Sequence, residues 1–368
     1  MFFLKTILDN NPVTFSSVGR YYHLKPSTLG RYYKESLSGF NVWEQKDHAV
    51  DWMLLAGNLS EYCSIDETQI CGDVYVFLTS KAGHGMKKTL IASVKGTKAE
   101  TVSAILLKIP KEEREKVREV TMDFSDSMYS IVKTCFPNAI IVIDCFHIVQ
   151  RLCEALDEMR LRFKRLAVTK TKKEAAEHNQ REDEKARKRK YNREWYASHK
   201  ASKNVKGKKR GRKRIRKRKF KPQTFSNGDT RVELLTRART ILYKSGEKWG
   251  KNQKTRAKIL FDNYEKLREG YSLICKIRSI FQKNITKGQA KGELHSWYKE
   301  VADCTIREIK SARDCIKAKE EEVLNYFINR HTNASAESFN SKIKGFKAQL
   351  HGVADIPFFM YRLCTIFG

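Results

Sequence analysis

The 368-residue sequence lacks two patterns that would place the protein in a membrane or outside the cell. No apolar run approaches the ~18–20 residues of a membrane-spanning helix, so we expect no membrane partner. The opening stretch is apolar, but it is too short for a signal peptide and carries no basic region or cleavage site. The nine cysteines contain no Cys-x-x-Cys pair, so neither a disulfide framework nor a zinc ribbon is predicted. These absences favour a cytoplasmic protein with reduced thiols.

Acidic residues are scarce, since 42 Asp and Glu face 73 Lys and Arg, and the net charge is +31. The basic excess is greatest between Lys185 and Pro222, where Glu194 is the one acid. Such a run is typical of a solvated linker, and it also suits an arm that binds phosphates through counterion release. Because the remainder is basic as well, nucleic acid is favoured over a membrane surface as the partner. Lys209, Arg210 and Arg212 resemble the core of a minor-groove binder of the AT-hook type, and are candidate DNA contacts.

Four regions of the chain differ in pattern, and with 40% hydrophobic residues the chain can bury a core. Residues 1–50 are short, polar-aromatic and helix-like. Residues 60–165 alternate strand-like runs with helical patterns, and residues 166–330 are almost wholly helical apart from the basic stretch 185–222. Residues 331–368 begin with a loop and carry one amphipathic helix.

The first region predicts a helix-turn-helix between Val18 and Tyr33. Pro26 suits the first turn of the second helix. Ser27, Thr28 and Arg31 then lie where a recognition helix would meet base edges or flanking phosphates. The alternative is an ordinary helical hairpin without a role in DNA binding.

The second region predicts the order β-β-β-α-β-α-β, with an aspartate on three of its strands. Asp66 lies on the first strand, and Asp123 and Asp144 end the last two. Ligands of open α/β sheets bind beyond the carboxyl ends of the strands. Acids placed there side by side repel one another unless a cation holds them, and Mg²⁺ prefers carboxylate ligands. One strand-end aspartate alone is more often a cap, but three in a basic protein favour metal-dependent phosphate chemistry.

The last region predicts a helix with two distinct stripes. The apolar residues recur at i, i+4, i+7 and i+11, and are Phe339, Ile343, Phe346 and Leu350. Glu337, Asn340 and Lys344 form a separate stripe. By itself, Glu337 is typical of a first-turn acid that stabilises the helix dipole. The lysine cluster of Lys342, Lys344 and Lys347 is better explained by nearby DNA.

Six short motifs occur in a fixed order along the chain. They are Ser64-Ile-Asp-Glu-Thr68, Val94-Lys-Gly-Thr-Lys98, Glu119-Val-Thr-Met-Asp123, Phe136-Pro-Asn-Ala139, Ile143-Asp-Cys-Phe-His-Ile148 and Thr332-Asn-Ala-Ser-Ala-Glu-Ser-Phe-Asn-Ser-Lys-Ile-Lys344. Together they resemble the motifs of DDE transposases from bacterial insertion sequences, in particular those of the ISL3 group. The sequence departs from the pattern at Cys145, where arginine is expected, and at Phe124, where methionine is usual.

The resemblance implies an α/β fold: an RNase H-like mixed-sheet catalytic core with a large all-helical insertion, here preceded by the N-terminal helix-turn-helix. It implies a catalytic triad of Asp66, Asp123 and Glu337 that binds two Mg²⁺ ions, which Mn²⁺ can replace. Three polar residues of the same motifs would support the triad, namely Asp144, His147 and Asn340.

The expected function is therefore transposition, in which the enzyme cuts DNA strands and transfers them to a target. The expected partners are double-stranded DNA, at the element ends and the target, and further copies of the chain on that DNA. The expected location is the bacterial cytoplasm, in association with the nucleoid. Two alternatives stay open: an RNase H-like nuclease that cuts without joining strands, and a non-catalytic, sequence-specific DNA-binding regulator.

Overall fold

The structure, a computed structural model, describes residues 2–199 and 218–368. Three candidate DNA contacts of the basic arm, Lys209, Arg210 and Arg212, lie outside the described residues. In the part of the chain that is described, no helix is both long and apolar enough to cross a membrane. All nine cysteines lie among the described residues and are free.

The chain forms two compact units. The first, the sheet unit, comprises residues 1–149, 280–296 and 314–368. The second, the helical unit, comprises residues 150–279 and 297–313. The sheet unit therefore also contains two stretches of the region predicted to be the helical insertion.

A mixed sheet of six strands forms the core of the sheet unit. Its strands are β1 (Trp52–Leu54), β2 (Tyr62–Ile70), β3 (Asp73–Ser80), β4 (Leu90–Lys95), β5 (Glu119–Met122) and β6 (Ile140–Ile143), in the spatial order β1-β4-β3-β2-β5-β6. The pairs β1–β4, β4–β3 and β3–β2 are antiparallel, whereas β2–β5 and β5–β6 are parallel. The predicted order of elements from β2 to β6 is confirmed, and β1 is an additional short edge strand.

Helices make up most of the remaining described chain. In chain order they are α1 (Phe2–Asn10), α2 (Phe15–Tyr21), α3 (Pro26–Tyr32), α4 (Ala99–Leu106), α5 (Lys111–Arg114), α6 (Asp126–Cys135), α7 (Cys145–His199), α8 (Arg231–Arg237), α9 (Arg239–Leu242), α10 (Lys251–Asn263), α11 (Glu265–Gln282), α12 (Lys287–Asp303), α13 (Arg307–Ala318), α14 (Glu320–Leu324), α15 (Tyr326–Asn329), α16 (Ala334–Gln349) and α17 (Ile356–Phe367).

Apolar residues cover both faces of the sheet. On one face, Ile65 and Leu78 pack in a core that includes buried residues of α4 and α6. On the other face, Phe77 packs against Phe339 of α16, in a core completed by α17. Successive side chains of a strand point to opposite faces, so Asp66, which follows Ile65, lies on the face covered by α16.

The helical unit is held together by buried polar contacts as well as apolar ones. The Arg160 guanidinium is buried and donates to both carboxylate oxygens of Asp157 and to the Leu235 carbonyl, at 2.8 Å for the latter. The buried Trp297 indole donates to the Leu273 carbonyl at 2.9 Å. These contacts satisfy groups that would otherwise be costly to bury.

At the N-terminus, α2 and α3 pack closely around a small apolar core. Val18 and Leu29 are buried there together with Tyr33. Pro26 is the first residue of α3, as the sequence predicts. Gly19 is essential to the close approach, because a Cβ at that position would lie 2.7 Å from the Leu24 carbonyl oxygen.

We expect Gly19→Ala to lower the free energy of unfolding by about 1–3 kcal/mol, because the Leu24 backbone would have to move. Gly345→Ala is the matched control, since it lies in α16 with no atom within 4 Å of an added Cβ. The control should gain about 0.5–1 kcal/mol from the helix propensity of alanine. Urea unfolding of both variants measures the difference, and equal effects would contradict the packing described for α2 and α3.

Candidate active site

The parallel strands align three aspartates in one row. Ile65 of β2 is paired with Met122 of β5, and Met122 is paired with Ile143 of β6. The next residues along these strands are Asp66, Asp123 and Asp144. Neighbouring strands lie about 4.8 Å apart, so the row brings the three acids to one edge of the sheet.

Asp66 is nearly enclosed, with 8% of its surface exposed. Its Oδ2 accepts a hydrogen bond from Asn340 Nδ2 of α16 at 2.7 Å, and its Oδ1 accepts one from the Glu67 backbone at 2.7 Å. Burial, and then the negative charge of Asp123, raise the pKa of Asp66 to about 7. The two carboxylates therefore repel each other when both are ionised. A bound cation would relieve this repulsion.

Asp123 follows β5 and is held by two donors. Its Oδ1 accepts from the Asn333 side chain at 2.9 Å and from His147 Nε2 at 3.0 Å. Burial lowers the pKa of His147, but the hydrogen bond and charge of Asp123 outweigh burial, so the pKa of His147 is raised. His147 therefore holds its proton more tightly than a free imidazole does, because Asp123 lies beside it.

Asp144 serves a different purpose from the other two aspartates. It is 3% exposed, and its Oδ1 accepts from the Phe146 backbone N–H at 2.8 Å at the start of α7. Its Oδ2 accepts from the Asn333 backbone N–H at 2.8 Å. Because both oxygens are engaged by backbone donors, Asp144 anchors the chain that leads into α16.

Asn333 is a site residue that sequence reasoning did not single out. It is fully buried, and it connects α16 to the sheet edge through the contacts with Asp123 and Asp144. Its only advance signal was its place in the motif before Glu337, at a position where asparagine is typical of a helix cap. No cap hydrogen bond is formed by its side chain, which contacts the sheet instead.

Glu337 lies in the first turn of α16, between the two asparagines that hold the aspartates. The positions 333, 337 and 340 are spaced i, i+4 and i+7, so they share one helix face. Glu337 itself is exposed, and within the described chain its carboxylate makes no hydrogen bond or ion pair. The structure thus joins Asp66 to Asp123, and it places Glu337 on the helix that contacts both.

The oxygen donors at this edge suit a hard divalent cation. Two carboxylates face each other, and Asn340 Oδ1 beside them is a buried oxygen without a hydrogen-bond partner. However, no three His, Cys, Asp or Glu side chains among residues 2–199 and 218–368 are close enough together to hold a metal ion. Of the three predicted metal ligands, Asp66 and Asp123 lie close together, with the supporting residue Asn340 bonded to Asp66, and Glu337 is not joined to them.

A second buried acid fixes the segment before Asn333. Glu119, at the start of β5, accepts from Lys81 Nζ at 3.2 Å and from His331 Nδ1 at 2.7 Å through one oxygen. Its other oxygen accepts from Asn329 Nδ2 at 3.0 Å. Burial lowers the pKa of Lys81, which the charge of Glu119 opposes. This cluster, also missed by sequence reasoning, holds the chain from α15 to α16 against the sheet.

The candidate DNA contacts differ in their surroundings. Ser27, Thr28 and Arg31 are exposed on α3. Of the α16 lysines, Lys342 donates to the Gly85 carbonyl at 2.6 Å and Lys347 to the Gln69 carbonyl at 3.3 Å, whereas Lys344 is exposed.

Comparison with known proteins identifies one family. A model of the ISL3 type of DDE proteins, described as a transposase family, matches residues 63–224 and 210–363. No curated protein and no solved structure matches the chain. The matched residues include the strands that carry both aspartates and the helix that carries Glu337.

Proposed function

The chain belongs to the ISL3 family of DDE transposases, and on this premise we propose that it cuts DNA at the ends of an insertion sequence and joins those ends to a target. The alignment of Asp66 with Asp123 beneath α16 carries the proposal. Two facing carboxylates whose repulsion raises a pKa are typical of a functional site, and the net charge of +31 favours a polyanion as the substrate.

The order of the sheet supports an RNase H-like core. Three antiparallel strands, β2 to β4, continue on one side into two parallel strands, β5 and β6, each reached through helices. In this interpretation the helical unit is the insertion. The chain leaves the sheet after β6 to form it, and α16 brings the chain back to the sheet edge.

The metal of this chemistry would be held by Asp66, Asp123 and Glu337, with Mg²⁺ as the expected ion and Mn²⁺ as its substitute. Two such ions supply charge neutralisation at the scissile phosphate and activation of the attacking oxygen. The chain's own residues prepare the site: Asn340 and Asn333 orient the two aspartates, and Glu337 lies exposed in the first turn of the helix that carries Asn340.

His147 contributes charge and orientation to the same site. Its hydrogen bond to Asp123, together with that of Asn333, fixes one carboxylate oxygen of a side chain that faces Asp66. Asp123 raises the pKa of His147, and the protonated ring would attract the phosphate of an approaching strand. Lys344, one helical turn beyond Asn340, extends this positive surface toward the DNA.

The DNA itself would be recognised by other parts of the chain. α2 and α3 serve as the helix-turn-helix that reads the element ends, and the basic residues between 185 and 222 bind phosphates of any sequence. Several copies of the chain would assemble on the two ends, in the bacterial cytoplasm at the nucleoid.

An assay that follows cleavage and joining separately tests the function. The purified chain is mixed with Mg²⁺, duplexes that carry the inverted repeats flanking its gene, and a plasmid target. We expect nicks that leave 3′-hydroxyls at the repeat ends, followed by covalent products of end and target. Cleavage without joined products would identify a nuclease, and binding without cleavage would identify a regulator.

The proposed recognition of element ends by α3 is tested by replacing Ser27, Thr28 and Arg31 with alanine. We expect a loss of discrimination between end sequence and random DNA of roughly 1–3 kcal/mol per lost base contact, while unspecific nicking persists. Gel-shift titrations with both DNAs measure the difference. Ser16→Ala combined with Arg20→Ala on α2 is the control, since both residues are exposed outside α3. An equal loss on both DNAs would show that α3 contacts only the backbone.

A further inference from the structure

The far end of α7 exposes large aromatic side chains to solvent. Tyr191, Trp195 and Tyr196, which we call the aromatic stripe, are 67%, 46% and 60% exposed. Aromatic rings usually bury most of their area in a core or an interface. Three of them within six residues of a solvated helix therefore indicate a surface that binds a partner.

The composition around the aromatic stripe restricts that partner to a polyanion. Between positions 185 and 199 the basic residues are Lys185, Arg187, Lys188, Arg189, Lys190 and Arg193. The one acid there, Glu194, lies 3.8 Å from Lys190. A second copy of this helix would bring the same charges against it and be repelled.

The stretch also lacks the side chains that enter lipid or a helix–helix seam. It contains no Leu, Ile, Val, Met or Phe, so its apolar surface consists of flat rings and two alanines. Flat rings beside cations are the combination that binds unpaired nucleic acid, because every base offers a π-face and every nucleotide a phosphate.

The geometry of the helix favours a single strand over a duplex. Tyr191 and Trp195 are spaced i, i+4, which separates them by about 6 Å along the helix axis. Bases in a duplex are stacked at about 3.4 Å and offer no free face to such rings. The Trp195 ring already stacks on the His199 imidazole, with centroids 4.2 Å apart, so it is held in one orientation.

We propose that residues 185–199 of α7 bind single-stranded DNA, with bases stacked on the aromatic stripe and phosphates paired with the flanking lysines and arginines. The inference rests on the proposed function, because a strand cut at an element end has a terminus from which its bases can unpair. It assigns to this part of the helix the task of holding such an unpaired end.

The test uses the full chain with Tyr191, Trp195 and Tyr196 replaced by alanine. Affinity for a fluorescent oligothymidine of about 16 nucleotides should fall tenfold or more, because stacking on the rings is lost. Affinity for a duplex of the same length should change less than about twofold, because the cations that bind its phosphates remain. The matched control replaces the three residues with phenylalanine, which keeps the rings and should keep single-strand affinity near that of the parent chain.

Fluorescence anisotropy without divalent metal measures binding independently of cleavage. Loss of affinity for both DNAs alike, or for neither, would overturn the proposal. The proposal would also be overturned if the alanine substitutions changed only self-association, measured by sedimentation, or only binding to anionic vesicles. A chain that binds single strands through the stripe but never cuts element ends would refute the proposed function and leave this inference intact.

Discussion

Asp123→Asn should abolish strand cleavage and leave DNA binding close to that of the parent chain. The substitution removes the charge of one of the two opposed carboxylates, and it leaves the basic surface intact. Loss of a carboxylate that holds catalytic metal is expected to lower the rate at least about 10³-fold. Nicking of end duplexes and gel-shift affinity, measured on the same preparations, separate the two effects.

Asp126→Asn is a matched control for this experiment. Asp126 lies three residues further along, at the start of α6, and its carboxylate is exposed and paired with Lys319. Its replacement should leave cleavage unchanged. Glu337→Gln extends the test to α16, and should be as severe as Asp123→Asn. If Glu337→Gln still cuts at the parent rate, Glu337 does not belong to the catalytic site.

The sheet and the pair of aspartates were predictable from the sequence for local reasons. The strands β3, β5 and β6 are short runs rich in β-branched residues that end at a turn or an acid, and parallel strands place such ends along one edge. The amphipathic pattern of α16 likewise predicted its buried side, since Phe339, Ile343 and Phe346 are all in the core. These elements depend on residues that are close together in the chain.

The contacts that hold the site were not predictable, because they join residues far apart in the chain. Asn333 contacts Asp123 across 210 positions, and Asn340 contacts Asp66 across 274. Nothing in the local pattern distinguishes an asparagine that reaches the sheet from one that caps its own helix. The same holds for Glu119 of β5, whose partners come from the β3–β4 connection, the end of α15 and the segment before α16.

The role of Asp144 illustrates how equal sequence signals lead to different tasks. Asp123 and Asp144 both end a buried strand, and both precede a helix. Only the structure shows that both carboxylate oxygens of Asp144 accept hydrogen bonds from backbone N–H groups, whereas Asp123 faces another carboxylate. The position of an aspartate at the end of a strand predicts that it lies at the edge of the sheet. The hydrogen-bond partners of its carboxylate oxygens decide whether it anchors the backbone or faces another carboxylate.

Asp66→Asn should stabilise the metal-free protein at pH 8 by roughly 2–4 kcal/mol, even though it abolishes cleavage. The folded pKa of Asp66 is raised to about 7 by burial and by Asp123, whereas the unfolded chain ionises near the ordinary value of 3.8. As pH rises from about 4 to about 7, the unfolded state releases a proton that the folded state keeps, so stability falls over this window. Asparagine carries no charge, so the variant does not lose stability over this pH window.

Urea unfolding in chelator at pH 4 and at pH 8 measures the effect, and the gain of the variant should nearly vanish at pH 4, where Asp66 is protonated. Asp144→Asn is the control, because its amide would turn a donor toward a backbone N–H and cost about 1–3 kcal/mol at both pH values. Mg²⁺ at pH 8 should stabilise the parent chain but not Asp66→Asn, since the ion binds the carboxylate pair in the folded state alone. A variant that is destabilised at pH 8 would mean that Asn340 and Glu67 already satisfy the Asp66 carboxylate, and the site would then have no strain for a cation to relieve.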